Sequence, residues 1–295
     1  MDKKDGSKSH PNQRVPLAYE NKTFLNGPDG RILRILAEYQ EPLSKFRRER
    51  IQDTIVFFGS ARFVSREKGE AALRKVRKLP AETPDLEEKI KRAESVLDMS
   101  QYYEAARRLA FLITQWTQTL GQPRHRFVVC TGGGPGIMEA ANRGAFEAGG
   151  KTVGLNIHLP FEQVPNDYIT PALNFEFHYF FMRKLWFAYL AKALVVFPGG
   201  FGTFDEMFEL LTLAQTEKLA KHICVVVYGK SYWDKVVDLQ AMVDAGTISA
   251  KDLDLIHWAN TPEEAFAFLQ TDLREHHLEH GHTLLKEPDI ARTRP

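Results

Sequence analysis

Short apolar runs punctuate this chain and alternate with helix-forming sequence. Thr54-Ile-Val-Phe-Phe58 is the first and is cut off by Gly59-Ser60; Phe127-Val-Val-Cys130, Thr152 to Ile157, Ala193 to Phe197 and Ile223 to Tyr228 follow it. Strands apolar on both faces must be covered on both, the condition met by a parallel sheet between two layers of helix. The helical signal is clearest from Ser100 onward. There Tyr102, Tyr103, Ala106, Leu109, Ala110, Ile113, Trp116 and Leu120 recur at i, i+3, i+4 and i+7 before Gly121 supplies a stop. Further helices are expected over Pro135 to Ala148, Met182 to Lys192, Thr203 to Leu219 and Tyr232 to Asp244, and a last one is capped by Thr261-Pro-Glu-Glu264. The alternation predicts an α/β fold: a doubly wound, mostly parallel sheet with helices on both faces.

Around this body, residues 1–50 are polar and without sustained period, and read as a flexible N-terminal arm with one short helix near Ile32 to Tyr39. Residues 51–272 form the expected nucleotide-binding domain. A charged segment at 64–98, broken at Pro80 and Pro84, reads as a helical insertion on its surface. Residues 273–295 read as a polar tail carrying His276, His277, His280 and His282; a metal-binding role for them is set aside because their spacing lacks a helical Glu partner motif.

Bulk properties remove several function classes. Lys and Arg number 39 against 38 Asp and Glu, a net charge of +1, so no whole-molecule field recommends nucleic acid or an anionic membrane as partner. Any anion site has to be local. The two cysteines, Cys130 and Cys224, lie in or beside apolar runs and read as core residues of a reduced, cytoplasmic protein. No stretch reaches the roughly 18 apolar residues of a membrane span, and the N-terminus has no signal-peptide core.

Two of the strands end in glycine-rich turns, Cys130-Thr-Gly-Gly-Gly-Pro-Gly136 and Phe197-Pro-Gly-Gly-Phe-Gly-Thr203. In a parallel sheet both turns leave from the carboxyl edge, where open α/β folds bind ligands. Glycine lets main-chain N–H groups approach an anion, and the helix that follows adds its unpaired N–H groups and the positive end of its dipole. Together the turns predict a nucleotide-sized slot. Neither turn is followed by Lys-Ser/Thr, so a triphosphate-binding P-loop is excluded. Glu139 and Asp205 stand where a dinucleotide fingerprint would need its third glycine. Asp205, Glu206 and Glu209 lie within two turns of the second glycine loop, where a carboxylate that cannot share the phosphate can reach the sugar instead. Upstream, Arg183 and Lys184 sit inside the aromatic cluster His178-Tyr-Phe-Phe-Met-Arg-Lys-Leu-Trp-Phe187.

GGGPGIMEAAN, the Arg183-Lys184 pair and PGGFGTFDE together resemble the Lonely Guy (LOG) family of cytokinin-activating phosphoribohydrolases, long labelled lysine-decarboxylase-like. The resemblance covers about Thr54 to Phe268 and is similar to the longer bacterial form. It implies a Rossmann-like homodimer that needs no cofactor or metal and cleaves the N-glycosidic bond of a nucleoside 5′-monophosphate, AMP or a cytokinin riboside monophosphate, to free base and ribose 5-phosphate. Carried over residue by residue, it makes Arg183 and Glu206 catalytic. It places the 5′-phosphate on Gly199, Gly200, Gly202 and Thr203, assisted by Gly132, Gly133, Gly134 and Gly136. Ser60, Glu139 and Lys184 complete the candidate binding set.

The chain departs from the family pattern at Phe180, where short members have methionine, and in its arm and insertion. Two rivals stand beside the hydrolase: a non-catalytic carrier of a nucleotide or molybdenum cofactor, and a pyridoxal-phosphate decarboxylase using Lys184 or Lys192.

Overall fold

The computed structural model describes residues 15–160, 164–216, 218 and 221–279. The chain divides into two units, Met1–Glu41 and Pro42–Pro295. In the first, helix α1 (Lys22–Asn26) is capped by the Asn21 side chain, which accepts the Phe24 N–H. Arg34 donates to the carbonyls of Leu25 and of Gly27, the latter at 2.8 Å. Helix α2 (Arg31–Arg48) runs across the unit boundary and is longer than the expected Ile32 to Tyr39 segment. Its last turns belong to the second unit, where Leu43 and Phe46 are buried and Phe46 packs against Phe175 and Trp186.

The second unit is built on seven strands: β1 (Thr54–Phe58), β2 (Val128–Thr131), β3 (Thr152–Ile157), β4 (Asn174–Phe177), β5 (Ala191–Val196), β6 (Cys224–Tyr228) and β7 (Ile256–Ala259). They pair in the order β4-β3-β2-β1-β5-β6-β7, every pair parallel. This is the expected doubly wound α/β sheet. The strands alternate with α3 (Arg66–Arg77), α4 (Leu86–Gln118), α5 (Ile137–Glu147), α6 (Phe180–Leu190), α7 (Phe201–Gln215), α8 (Lys230–Val236), α9 (Leu239–Asp244) and α10 (Pro262–His277). Ile55 and Phe57 of β1 join a core with Leu109 and Ile113 of α4, Ile137 of α5 and Leu269 and Leu273 of α10. On the opposite face Phe58 meets Phe187 of α6 edge-on at 4.7 Å. Both faces of β1 are therefore covered, which is why its run reads apolar throughout.

Several expectations need correction. The 64–98 segment is helical, as expected, but its second helix does not end at 98: α3 is followed, after Pro80 and Pro84, by a helix that starts at Leu86 and continues without interruption to Gln118. No glycine or proline occurs within it, so nothing stops propagation once its first turn has formed. The Tyr232 to Asp244 helix is two helices, because Asp238 leaves helical geometry and caps α9 by accepting the Ala241 N–H. Strands β4 and β7 were not expected; they are the edge strands, four residues each, and β4 alternates exposed and buried instead of forming an apolar run. The expected polar tail from 273 begins as helix, since the buried spacing Ala265, Leu269, Leu273 extends to His277. His280, His282 and the expected helix end at Leu219 lie outside the described residues.

Cys130 and Cys224 are buried free thiols, as read from the sequence. Behind β1 and β2, Asp53 and Arg126 form a buried pair with Oδ2 2.7 Å from Nε, and Asp53 also accepts the Phe127 N–H. No helix among the described residues is long and apolar enough to cross a membrane.

Candidate active site

The strand order brings the glycine turns together. Because β1 pairs with β2 on one side and β5 on the other, the turns after these three strands are neighbours at the carboxyl edge, at the point where the chain reverses its direction of winding. Ser60 joins them. Its N–H donates to the Pro198 carbonyl at 3.0 Å and its carbonyl accepts the Ile137 N–H at 3.1 Å. Gly136 has φ +73° and passes so close that a Cβ there would lie 2.3 Å from the Ser60 oxygen. Only glycine fits both the left-handed backbone and that approach.

The first glycine turn is braced from behind. Thr131 Oγ1 accepts the Gly133 N–H at 2.9 Å and donates to Asn142 Oδ1 at 2.7 Å. Asn166 Nδ2 donates to the Gly133 and Gly134 carbonyls at 3.0 and 3.1 Å. In the second turn the buried Thr203 side chain folds against Gly199, where a Cβ would sit 2.1 Å from its Oγ1. Tyr232 donates its hydroxyl to the Gly199 carbonyl at 2.8 Å. A Cβ at Gly200 or Gly202 would meet nothing within 4 Å, so this side of the turn is open.

Arg183 and Glu206 meet between the turns. Arg183, on α6, comes within 3.9 Å of a Cβ built at Gly132. Its Nη2 lies 3.6 Å from Glu206 Oε1 in α7, and only 15% and 4% of the two side chains are exposed. Its guanidinium stands 5.6 and 5.3 Å from the centres of the Phe180 and Phe187 rings. Lys184, the next residue, gathers three acids: Asp205 and Glu209 at 2.8 Å each and Glu206 at 3.7 Å.

Burial sets the electrostatics. Removal from water pushes the Glu206 carboxyl up to about 7, against the opposing pull of Lys184 and Arg183. The same desolvation lowers the Arg183 pKa, with Glu206 resisting. Burial also acts against the Lys184 ammonium, but its bonds to Asp205 and Glu209 together prevail and its pKa is raised. A buried carboxyl poised near neutrality beside two cations has the properties of a group that stabilises positive charge or takes a proton.

Of the candidate residues, Ser60, Gly132, Gly136, Gly199, Thr203, Arg183, Lys184 and Glu206 share this one edge of the sheet. Glu139 makes its contacts elsewhere, accepting the Tyr103 hydroxyl at 2.7 Å with Lys68 3.7 Å away.

Residues 138–269 match the family model described as "Possible lysine decarboxylase". This segment is a domain of the lysine-decarboxylase-like, or LOG, family. The match spans Arg183, Lys184, the second glycine turn and Glu206, and begins after the first glycine turn. Among solved structures, the chain is similar to the molybdenum cofactor binding protein of the phototrophic bacterium Rippkaea orientalis, with 17% identity over 74% of this chain and 94% of that one and a TM-score of 0.42. It is also similar to the molybdenum cofactor carrier protein of Chlamydomonas reinhardtii, with 20% identity over 75% and 98% and a TM-score of 0.41. No curated protein matches the sequence.

Three residues of this site escaped the sequence: Asn156, Asn166 and Tyr232. The Asn156 side chain abuts Gly133, and its Oδ1 is buried with no hydrogen-bond partner among the described residues. An asparagine inside an otherwise apolar strand was the one signal available. Asn166 comes from a segment with no local pattern and Tyr232 from the start of an expected helix, and only the tertiary structure takes them to the turns.

Proposed function

We propose that this domain hydrolyses the N-glycosidic bond of nucleoside 5′-monophosphates, releasing the free base and ribose 5-phosphate. The observation that carries the proposal is Glu206: a buried carboxyl with a pKa raised to about 7, held beside Arg183 where two glycine turns converge. The 5′-phosphate is assigned to the Gly199 to Thr203 turn at the start of α7, whose dipole and N–H groups favour an anion. The ribose then lies against Glu206.

Breaking the bond builds positive charge at C1′ and negative charge on the departing base. Glu206 as carboxylate faces the first and accepts a proton from the attacking water. The bonding pair leaves with the base, water oxygen bonds C1′, and the base gains a proton as the reaction closes. Arg183 faces the second charge; its buried Nε has no hydrogen-bond partner among the described residues, leaving a donor for the substrate. The exposed Phe180 ring beside it offers flat apolar surface to a base.

The decarboxylase description of the family model calls for a neutral lysine that forms a Schiff base. Lys184 is held as an ammonium by three carboxylates, which disfavours that chemistry. The deciding experiment is incubation with AMP followed by chromatography. Free adenine and ribose 5-phosphate are expected; intact AMP retained on the protein would replace the hydrolase with a nucleotide carrier.

A further inference from the structure

We propose that His222, Asp272 and His276 form a binding site for a divalent transition-metal ion, Zn²⁺ foremost, at the amino edge of the sheet. Each residue offers one ligand atom, and these atoms lie within 4.8 Å of one another. His222 stands two residues ahead of β6, while Asp272 and His276 are one turn apart on α10 and so share a face. His222 Nε2 is 2.9 and 3.1 Å from the two Asp272 carboxylate oxygens. The His222 and His276 rings stack with centroids 3.9 Å apart, and His276 Nδ1 is 3.6 Å from Asp272 Oδ1.

The donor set fits a zinc-type ion. His276 Nδ1 lies 3.0 Å from the main-chain oxygen of Asp272; a carbonyl only accepts, so the ring proton is on Nδ1 and Nε2 keeps its lone pair. A carbonyl behind a ligating imidazole is the usual outer support that fixes tautomer and ring orientation. Two imidazoles and a carboxylate are borderline-soft donors that suit Zn²⁺ at about 2.0–2.2 Å, with water in the fourth position. The histidine side chains are 41% and 37% exposed, so an ion enters directly from solvent and the rings can turn toward it. Asp272 is the anchored member, 13% exposed.

All strands run the same way, so this site and the glycine turns lie at opposite ends of the sheet. The ion takes no part in glycosidic chemistry. It fastens α10 to the segment entering β6. His276, set aside on local spacing, finds its histidine partner His222 about 50 residues upstream.

The test is calorimetric titration of Zn²⁺ into the chelator-treated full-length protein, with Co²⁺ absorbance as a report of coordination. One ion per chain is expected, bound at least tenfold more weakly by His222→Ala and by His276→Ala, the order of loss known for disturbed metal sites. A His280→Ala/His282→Ala variant should bind as the wild type does. At one Zn²⁺ concentration the Tm of the wild type should rise by more than that of His222→Ala. Absence of binding, unchanged binding in His222→Ala, or loss of binding in the His280→Ala/His282→Ala variant would each overturn the proposal.

Discussion

Glu206 Oε1 lies 3.6 Å from Arg183 Nη2, and the two side chains reach this separation from different helices, both nearly closed off from water. A charge pair in that setting is strongly felt by anything placed beside it, because little solvent remains to screen it. Four predictions follow from the pair and its supports, and a fifth concerns the buried pair behind the sheet.

Glu206→Gln keeps the shape of the side chain and removes its charge. With AMP as substrate, kcat should fall by about 10²-fold or more, the scale of one preorganised electrostatic contact. The release of adenine measures it directly, and near-normal turnover would remove Glu206 from the mechanism.

Activity should depend on pH through the same group. Glu206 has to be ionised to face positive charge at C1′, and burial raises its pKa to about 7. The rate should therefore climb as pH rises through about 7 and flatten above it. A rate independent of pH between 5 and 8 would contradict this assignment.

Lys184 lowers the Glu206 pKa while also neutralising Asp205 and Glu209. Lys184→Ala leaves three acids facing each other with only Arg183 to balance them. The rising limb of the pH profile should move to higher pH, because the carboxylate becomes harder to form. An unmoved limb would show that Lys184 does not act through Glu206.

The glycines separate support from binding. Gly200 has φ −100° and open space where a Cβ would go, so Gly200→Ala should change stability by no more than about 0.5 kcal/mol yet raise the KM for AMP. Gly136→Ala should lose more than about 1 kcal/mol, since it combines φ +73° with a Cβ 2.3 Å from the Ser60 oxygen. Denaturant unfolding and KM measurements on the two variants distinguish the roles.

Asp53→Ala strands Arg126 in the interior and leaves the Phe127 N–H without its acceptor. A loss of about 3–5 kcal/mol in unfolding free energy is expected, the cost of breaking one side of a buried pair. AMP turnover per folded molecule should be unchanged, since the pair lies at the amino ends of β1 and β2.

The central strands were legible because a strand covered on both faces shows its burial in its own residues, as Ile55, Val56 and Phe57 do. Edge strand β4 was not, since only Phe175 and Phe177 of its four residues are buried. The long helix α4 was read in two pieces because its charged first half, unlike the stretch around Leu109 and Ile113, has little apolar spacing to follow.

Local chemistry fixed the glycine turns, the Thr261 cap of α10 and the acids behind Thr203, each of which depends on neighbours a few residues away. The meeting of those pieces was decided by strand order alone. Ser60 can bond both Pro198 and Ile137 only because β1 pairs with β5 on one side and β2 on the other, and the sequence within a parallel strand does not state its partners. Glu206 is written in the chain as a common surface acid at a helix start; burial beside Arg183 gives it a pKa near neutrality, and burial is a property of the folded whole.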